Sequence, residues 1–151
     1  MEARMRYDQG VSQAQDASGE LFNFSERQWN SIEVSLTLSH RDLDPDSVSD
    51  LLGLTPTRSA RPGTAIMSSD GIWAIDFHGQ DPQDNPLEMA VSSIRDHLPK
   101  IKQLISFGVS AQLSIYGHVQ DGSTLHLSTN EIASLAEMSI PIVFVPNANE
   151  R

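Results

Sequence analysis

Cysteine is absent from all 151 residues, which excludes disulfide frameworks, cysteine zinc sites and thiol chemistry. Basic residues are scarce: 10 Lys and Arg stand against 20 Asp and Glu, a net charge of −10 at pH 7. A duplex nucleic-acid binder needs clustered positive charge, so no duplex partner is expected. The chain has no apolar run of the roughly 18 or more residues that a membrane helix requires, so no membrane span is expected. Met1 to Arg6 leads into Tyr7-Asp8-Gln9-Gly10, where a secretory signal would place apolar residues, and a cytoplasmic location is the expectation. Aromatic residues make up 6% and hydrophobic residues 38% of the chain, enough for a lean core of one domain. Gly-x-Ser-x-Gly, His-Glu-x-x-His and a Gly-rich phosphate loop are all missing. Without them no nucleophilic triad can be read from the sequence, and no cofactor is implied.

What is present reads as α+β. Residues 1–30 begin polar and end in Leu21, Phe22, Phe24 and Trp29. They are expected to be a flexible arm whose aromatic end docks on the domain, residues 31–146, or on a partner, with 147–151 as a tail. Ile32, Val34, Leu36 and Leu38 alternate with polar residues, the pattern of a half-buried strand. Asp44-Pro45 opens a short helix, with Asp44 as N-cap, Val48, Leu51 and Leu52 as its apolar face, and Gly53 as its stop. Ile72 to Phe77 reads as a strand with Trp73, Ile75 and Phe77 on one face. Asn85-Pro86 caps a long helix in which Leu87, Val91, Ile94, Leu98, Ile101 and Ile105 form a stripe. Pro99 predicts a kink or break near His97-Leu98. Ala111 to Val119 alternates as a strand, and Ser128 with Glu131 predicts a capping box. Behind that cap, Ile132, Leu135, Ala136 and Met138 form the helix face. The apolar run Ile140 to Val145 suggests a strand covered on both sides or paired centrally. Leu36 to Leu54 and Leu125 to Ile140 repeat the same strand–helix pattern. Together these predict a two-layer, ferredoxin-like antiparallel sheet with helices on one face.

Asp44-Pro45-Asp46-Ser47-Val48, then Leu51-Leu52-Gly53-Leu54-Thr55-Pro56-Thr57-Arg58 and Gly63, resemble the opening block of a bacterial domain-of-unknown-function family, number 4279. Trp73, the long helix and the segment Ser128 to Val145 follow in the family's order, so the resemblance covers residues 32–145. It implies a fold and a bacterial origin, and it implies no activity and no catalytic residues.

Asp42, Asp44, Asp46 and Asp50 occupy positions 1, 3, 5 and 9 of a calcium loop. Ser47 stands where that loop needs Gly, and Gly53 where it needs Glu, so helix capping is the better account. Arg58 and Arg61 flank a Pro-rich loop and are read either as partners of those acids or as an anion site. If Val119 and Leu125 share a face, a three-residue loop closes a hairpin that sets His118 opposite His126 and Tyr116 opposite Ser128. Cβ atoms so paired lie ~4.5–5.5 Å apart. Two imidazoles there suit either a solvated surface or a shared metal, with Asp76 or His78 as the available third ligand.

The functional expectation is a binding module, not an enzyme, with Tyr116, His118, His126, Arg58 and Arg61 as candidate binding residues. The partner suggested by the charge is a basic protein, neutralised in the manner of acidic immunity proteins. The alternatives are a small metal-dependent or ligand-binding enzyme built on His118 and His126, and a structural homodimer joined through the polar sheet face or the arm. From Gln103 to Glu150 there is no Lys or Arg, which points to the C-terminal half as the place where something positive would bind.

Overall fold

The computed structural model of the chain describes residues 13–15, 21–23, 27–64, 66, 68–120 and 122–148. In order, the elements are β1 (Gln13–Gln15), β2 (Leu21–Asn23), β3 (Arg27–Gln28), β4 (Asn30–His40), α1 (Pro45–Leu52), β5 (Arg58–Ala60) and β6 (Gly71–His78), followed by α2 (Pro86–Ser106), β7 (Ser110–Val119), β8 (Ser123–Thr124), α3 (Thr129–Met138) and β9 (Ile142–Ala148). Five strands form the main sheet in the order β5-β6-β4-β7-β9. β4 lies at its centre and runs antiparallel to both β6 and β7. Among the described residues no helix is long and apolar enough to cross a membrane.

The two faces of this sheet follow from alternation along β4. Val34, Leu36 and Leu38 pair with Phe77, Ile75 and Trp73 on β6 and with Ile115, Leu113 and Ala111 on β7. Paired residues in a ladder point the same way, so this face is apolar. It joins Val48 and Leu52 of α1, Leu87, Val91, Ile94 and Ile101 of α2, and Leu135 and Met138 of α3 in one core. Trp73 is wholly buried, and its indole Nε1–H donates to Ser49 Oγ at 3.0 Å. Among the described residues, the opposite face, with Glu33, Ser35 and Thr37 on β4, has no helix over it. The expected two-layer α+β class with helices on one face is therefore what the chain adopts. Within it, one strand pair departs from the antiparallel expectation. β9 runs parallel to β7, because α3 carries the chain back to the starting end of β7 before β9 begins.

Local signals account for the helix starts. Ser128 and Glu131 form the full capping box: Ser128 Oγ accepts from Glu131 N at 3.1 Å, and the Glu131 carboxylate accepts from Ser128 N at 2.7 Å. Asn85 Oδ1 accepts from the N–H groups of Leu87 and Glu88 at 3.1 and 3.3 Å. Asn85 Nδ2 in turn donates to Glu131 at 3.2 Å. Asp44 occupies the N-cap of α1 but its side chain caps no backbone N–H. Its carboxylate accepts from Ser47 Oγ at 2.7 Å and from Arg61 at 3.0 Å.

Four further expectations are corrected. Of the kink or break expected near His97-Leu98, the break does not occur, and α2 runs on through Pro99 to Ser106. Its buried positions before and after the proline, Ile94 and Ile101, are held in the same core, and that packing outweighs one lost backbone bond. The β7 hairpin does not form, because β4 and β9 occupy both sides of β7 and leave no free ladder. The chain still turns at Gln120 to Ser123, after which β8 pairs in parallel with β3, and Leu125 and Leu127 meet the core by another route. On α3, Ile132 and Ala136 face outward, Ile132 being 53% exposed, while Leu135 and Met138 hold the core. Finally, β9 is an edge strand, and neither centrally paired nor covered on both sides.

Most of the expected N-terminal arm lies outside the described residues. Where its last part is described, β3 is tied to β8, Trp29 N–H donates to the Thr124 carbonyl at 3.1 Å, and the Trp29 ring lies against Gly117. A Cβ at Gly117 would come within 2.7 Å of that ring, so glycine is what lets the indole approach the strand.

Candidate functional site

The five residues singled out from the sequence fall in three places. Arg58, Tyr116 and His118 stand on the uncovered sheet face. Arg58 forms a two-pronged pair with Asp76, Nε and Nη2 each donating to one carboxylate oxygen at 2.9 Å, and Nη2 also reaches Ser35 Oγ at 3.0 Å. The guanidinium and the hydroxyls of Ser35 and Thr57 hold the Asp76 carboxyl at a pKa of about 2, against the opposing effect of burial. The same carboxylate raises the pKa of Arg58. Tyr116 lies across from Glu33, and Glu33 from His78. Arg61 lies elsewhere, at the start of α1, where it pairs with Asp44 at 3.0 Å and also with Asp46. The two arginines are thus both in internal ion pairs, with the acid cluster supplying the partners of Arg61 only.

His118 and His126 are not opposite one another. His118 is in register with Asn30 on β4 and Asn147 on β9, because these strands fill the sites a hairpin partner would take. His126 lies beyond β8, on the wall of a cleft. The shared-metal arrangement of these two residues therefore loses its geometric basis. Among the described residues there is no group of three or more His, Cys, Asp or Glu side chains placed to hold a metal ion.

That cleft encloses about 910 Å³, and three segments far apart in sequence build it together with Ile115 of β7. The first is Trp29 to Ile32, where the β4–β7 register shifts between Asn30 and Glu33 and Ser31 takes a φ of 51°. Such a bulge re-aims side chains at the end of a strand, and here Asn30 and Ser31 line the cleft. The second is the loop from Gly79 to the start of α2. Asp84 shapes it by accepting from the N–H groups of Gln80 and Asp81 at 2.9 and 3.0 Å. The third runs from Thr124 through His126 to the first turn of α3.

The cleft is one-sided in charge. Asp81, Asp84 and Glu131 line it, and no Lys or Arg does among the described residues. The carboxylates of Asp84 and Glu131 are held by neutral donors: backbone N–H groups for Asp84, and Ser128 N–H with the Asn85 amide for Glu131. Those bonds, led by the Ser128 N–H, keep the Glu131 pKa below its ordinary value. Ile32, Leu87, Ile115, Leu125 and Leu127 add apolar surface, and the buried Thr124 Oγ1 has no hydrogen-bond partner among the described residues. The sequence marked His126 and the Ser128–Glu131 cap but not the cleft itself. Its acids at 81 and 84 read as ordinary loop residues until folding brings α3 beside them.

The sequence profile of a family described as Domain of unknown function (DUF4279) matches residues 27–149. No curated protein and no solved structure matches the chain.

Proposed function

The chain belongs to the DUF4279 family, whose description names no activity, and from that premise we propose that it is a binding module whose acidic cleft receives a cationic segment of a protein partner. The observation that carries this reading is the set of three carboxylates, Asp81, Asp84 and Glu131, around a cleft lined by no described Lys or Arg. A concave site of one charge sign focuses its field and raises the local concentration of oppositely charged groups. The apolar lining suits the aliphatic stem of a lysine or arginine while the rim acids meet its head. Binding of this kind would neutralise a basic partner, as acidic immunity proteins do, and needs no catalytic group.

The test is a titration with a Lys/Arg-rich peptide and with an acidic peptide of the same length. Trp29 lines the cleft, so its fluorescence reports occupancy. The basic peptide should bind selectively, with affinity falling as salt rises. Reversing a rim charge by Asp81→Lys should weaken it roughly tenfold, about 1.4 kcal/mol. Equal binding of both peptides, or an unchanged affinity in Asp81→Lys, would overturn the proposal.

A further inference from the structure

The two edges of the main sheet are unlike. β5 at one edge is three residues long and carries Arg58 and Ser59 exposed, a short charged edge of the kind that resists pairing. β9 at the other edge has the sequence Ile-Val-Phe-Val-Pro-Asn-Ala, with no charge in its seven residues. Its composition is that of a central strand, yet Val143 is 38% and Phe144 46% exposed. A long apolar edge of this type is a template for another strand.

The backbone says how such a strand would be met. Leu113 N–H donates to the Pro141 carbonyl at 2.9 Å, and Leu113 is in register with Ile142. In a parallel ladder the polar groups of alternate residues point to the neighbouring strand. Those of 141, 143, 145 and 147 therefore face β7, and those of Ile142, Phe144 and Pro146 face outward. Pro146, having no N–H to donate, stands at an outward position, where β7 loses nothing by it.

We propose that β9 is a homodimer edge, at which a second copy of this chain pairs antiparallel about a two-fold axis through Phe144. The pairing is self-complementary over Ile142 to Pro146. Phe144 meets Phe144 of the second copy, and the two exchange both N–H···O bonds. Val143 faces Val145 of the second copy on the uncovered side of the sheet, and Ile142 faces Pro146 on the helix side. Each apolar residue thus meets an apolar one, the favoured kind of cross-strand pair, and only the bonds that would need a Pro146 N–H are missing. Two chains of net charge −10 repel over most of their surfaces, and a strand without charge is where they can approach. The result is a continuous sheet of ten strands with its exposed apolar edge removed. This interface is independent of the acidic cleft.

The test uses the full chain. Light scattering during gel filtration should give twice the 16.6 kDa chain mass, and Phe144→Lys should return the monomer mass with an unchanged circular dichroism spectrum. Because the protein has no cysteine, Phe144→Cys introduces a unique thiol. Opposed Cα atoms in a hydrogen-bonded antiparallel pair are about 5.5 Å apart, inside the range a disulfide spans. Mild oxidation should therefore cross-link Phe144→Cys. Val143→Cys should not cross-link, because residue 143 lies diagonal to its own copy at roughly 7–8 Å. A monomer at every concentration, a dimer that persists in Phe144→Lys, or equally rapid cross-linking at 143 and 144 would each overturn the proposal.

Discussion

Replacing Asp76 by asparagine isolates the one strongly held charge of the uncovered sheet face. The carboxyl is brought from 3.8 down to about 2 by Arg58, Ser35 and Thr57. At about 1.4 kcal/mol per pH unit, that is worth at most roughly 2.5 kcal/mol to the folded state. The Arg58 side chain is 56% exposed, although Asp76 is only 14% exposed. Water and salt therefore screen part of the attraction, and about 1–1.5 kcal/mol is the expected net value. The sign follows from linkage. A carboxyl whose folded pKa lies below its unfolded one stabilises the protein at pH values above about 4. That contribution drains away as the pH falls toward about 2. Denaturant unfolding of the natural chain and of Asp76→Asn, repeated from pH 6 to pH 2, measures this directly. Other acids such as Glu131 titrate in both proteins and cancel in the difference. The gap should be near its full size at pH 5–6 and close to zero at pH 2, where a protonated aspartic acid resembles asparagine. A gap that is constant across that range, or absent at pH 6, would refute the claim that the ionised form is held.

Two substitutions test the packing directly. A Cβ on Gly71 would lie 2.0 Å from the Leu43 carbonyl oxygen, which belongs to backbone and cannot swing aside. Gly71→Ala should destabilise by about 1–3 kcal/mol or more, seen as a lower thermal midpoint, and an unchanged midpoint would show that the β4–α1 turn is not so placed. Pro99 is exposed within α2, so Pro99→Ala restores a backbone donor without disturbing the core. It should stabilise by about 1–3 kcal/mol in denaturant unfolding; a loss of stability would mean that the helix depends on the proline.

What was legible in the sequence is what local chemistry decides. The alternation in β4 and β6, the stripe of α2 as far as Ile101 and the Ser128–Glu131 box each specify their structure within a few residues and form, whereas Ile105, the last residue expected in the stripe, is exposed. The misreadings arise where distant segments compete. Ala111 to Leu127 has the alternation and the turn of a hairpin, yet β7 is already paired on both sides by strands about 80 residues behind and 30 residues ahead in the chain. Leu125 and Leu127 satisfy the same apolar pattern by packing beside the sheet. Pro99 predicts a kink or a break, and the packing of Ile94 and Ile101 overrides the break. The run Ile140 to Val145 indicates burial on both sides, whereas one copy of the chain buries only Ile140 fully and leaves Val143 and Phe144 partly open.

The densest run of acids is largely matched by arginine. Asp42, Asp44 and Asp46 draw the eye in the sequence, but Arg41 and Arg61 pair with all three, and Arg58 pairs with Asp76. These arginines cancel, at short range, the charge that composition alone would assign to that end of the molecule. The acids of the cleft are spread over fifty residues, and two of them are held by neutral hydrogen-bond donors. A hydrogen bond from an amide fixes a carboxylate without removing its charge, whereas an arginine removes the charge while fixing it. The long-range field of the −10 chain is therefore expected to converge on the cleft, where a cationic segment would meet it, and not on the start of α1.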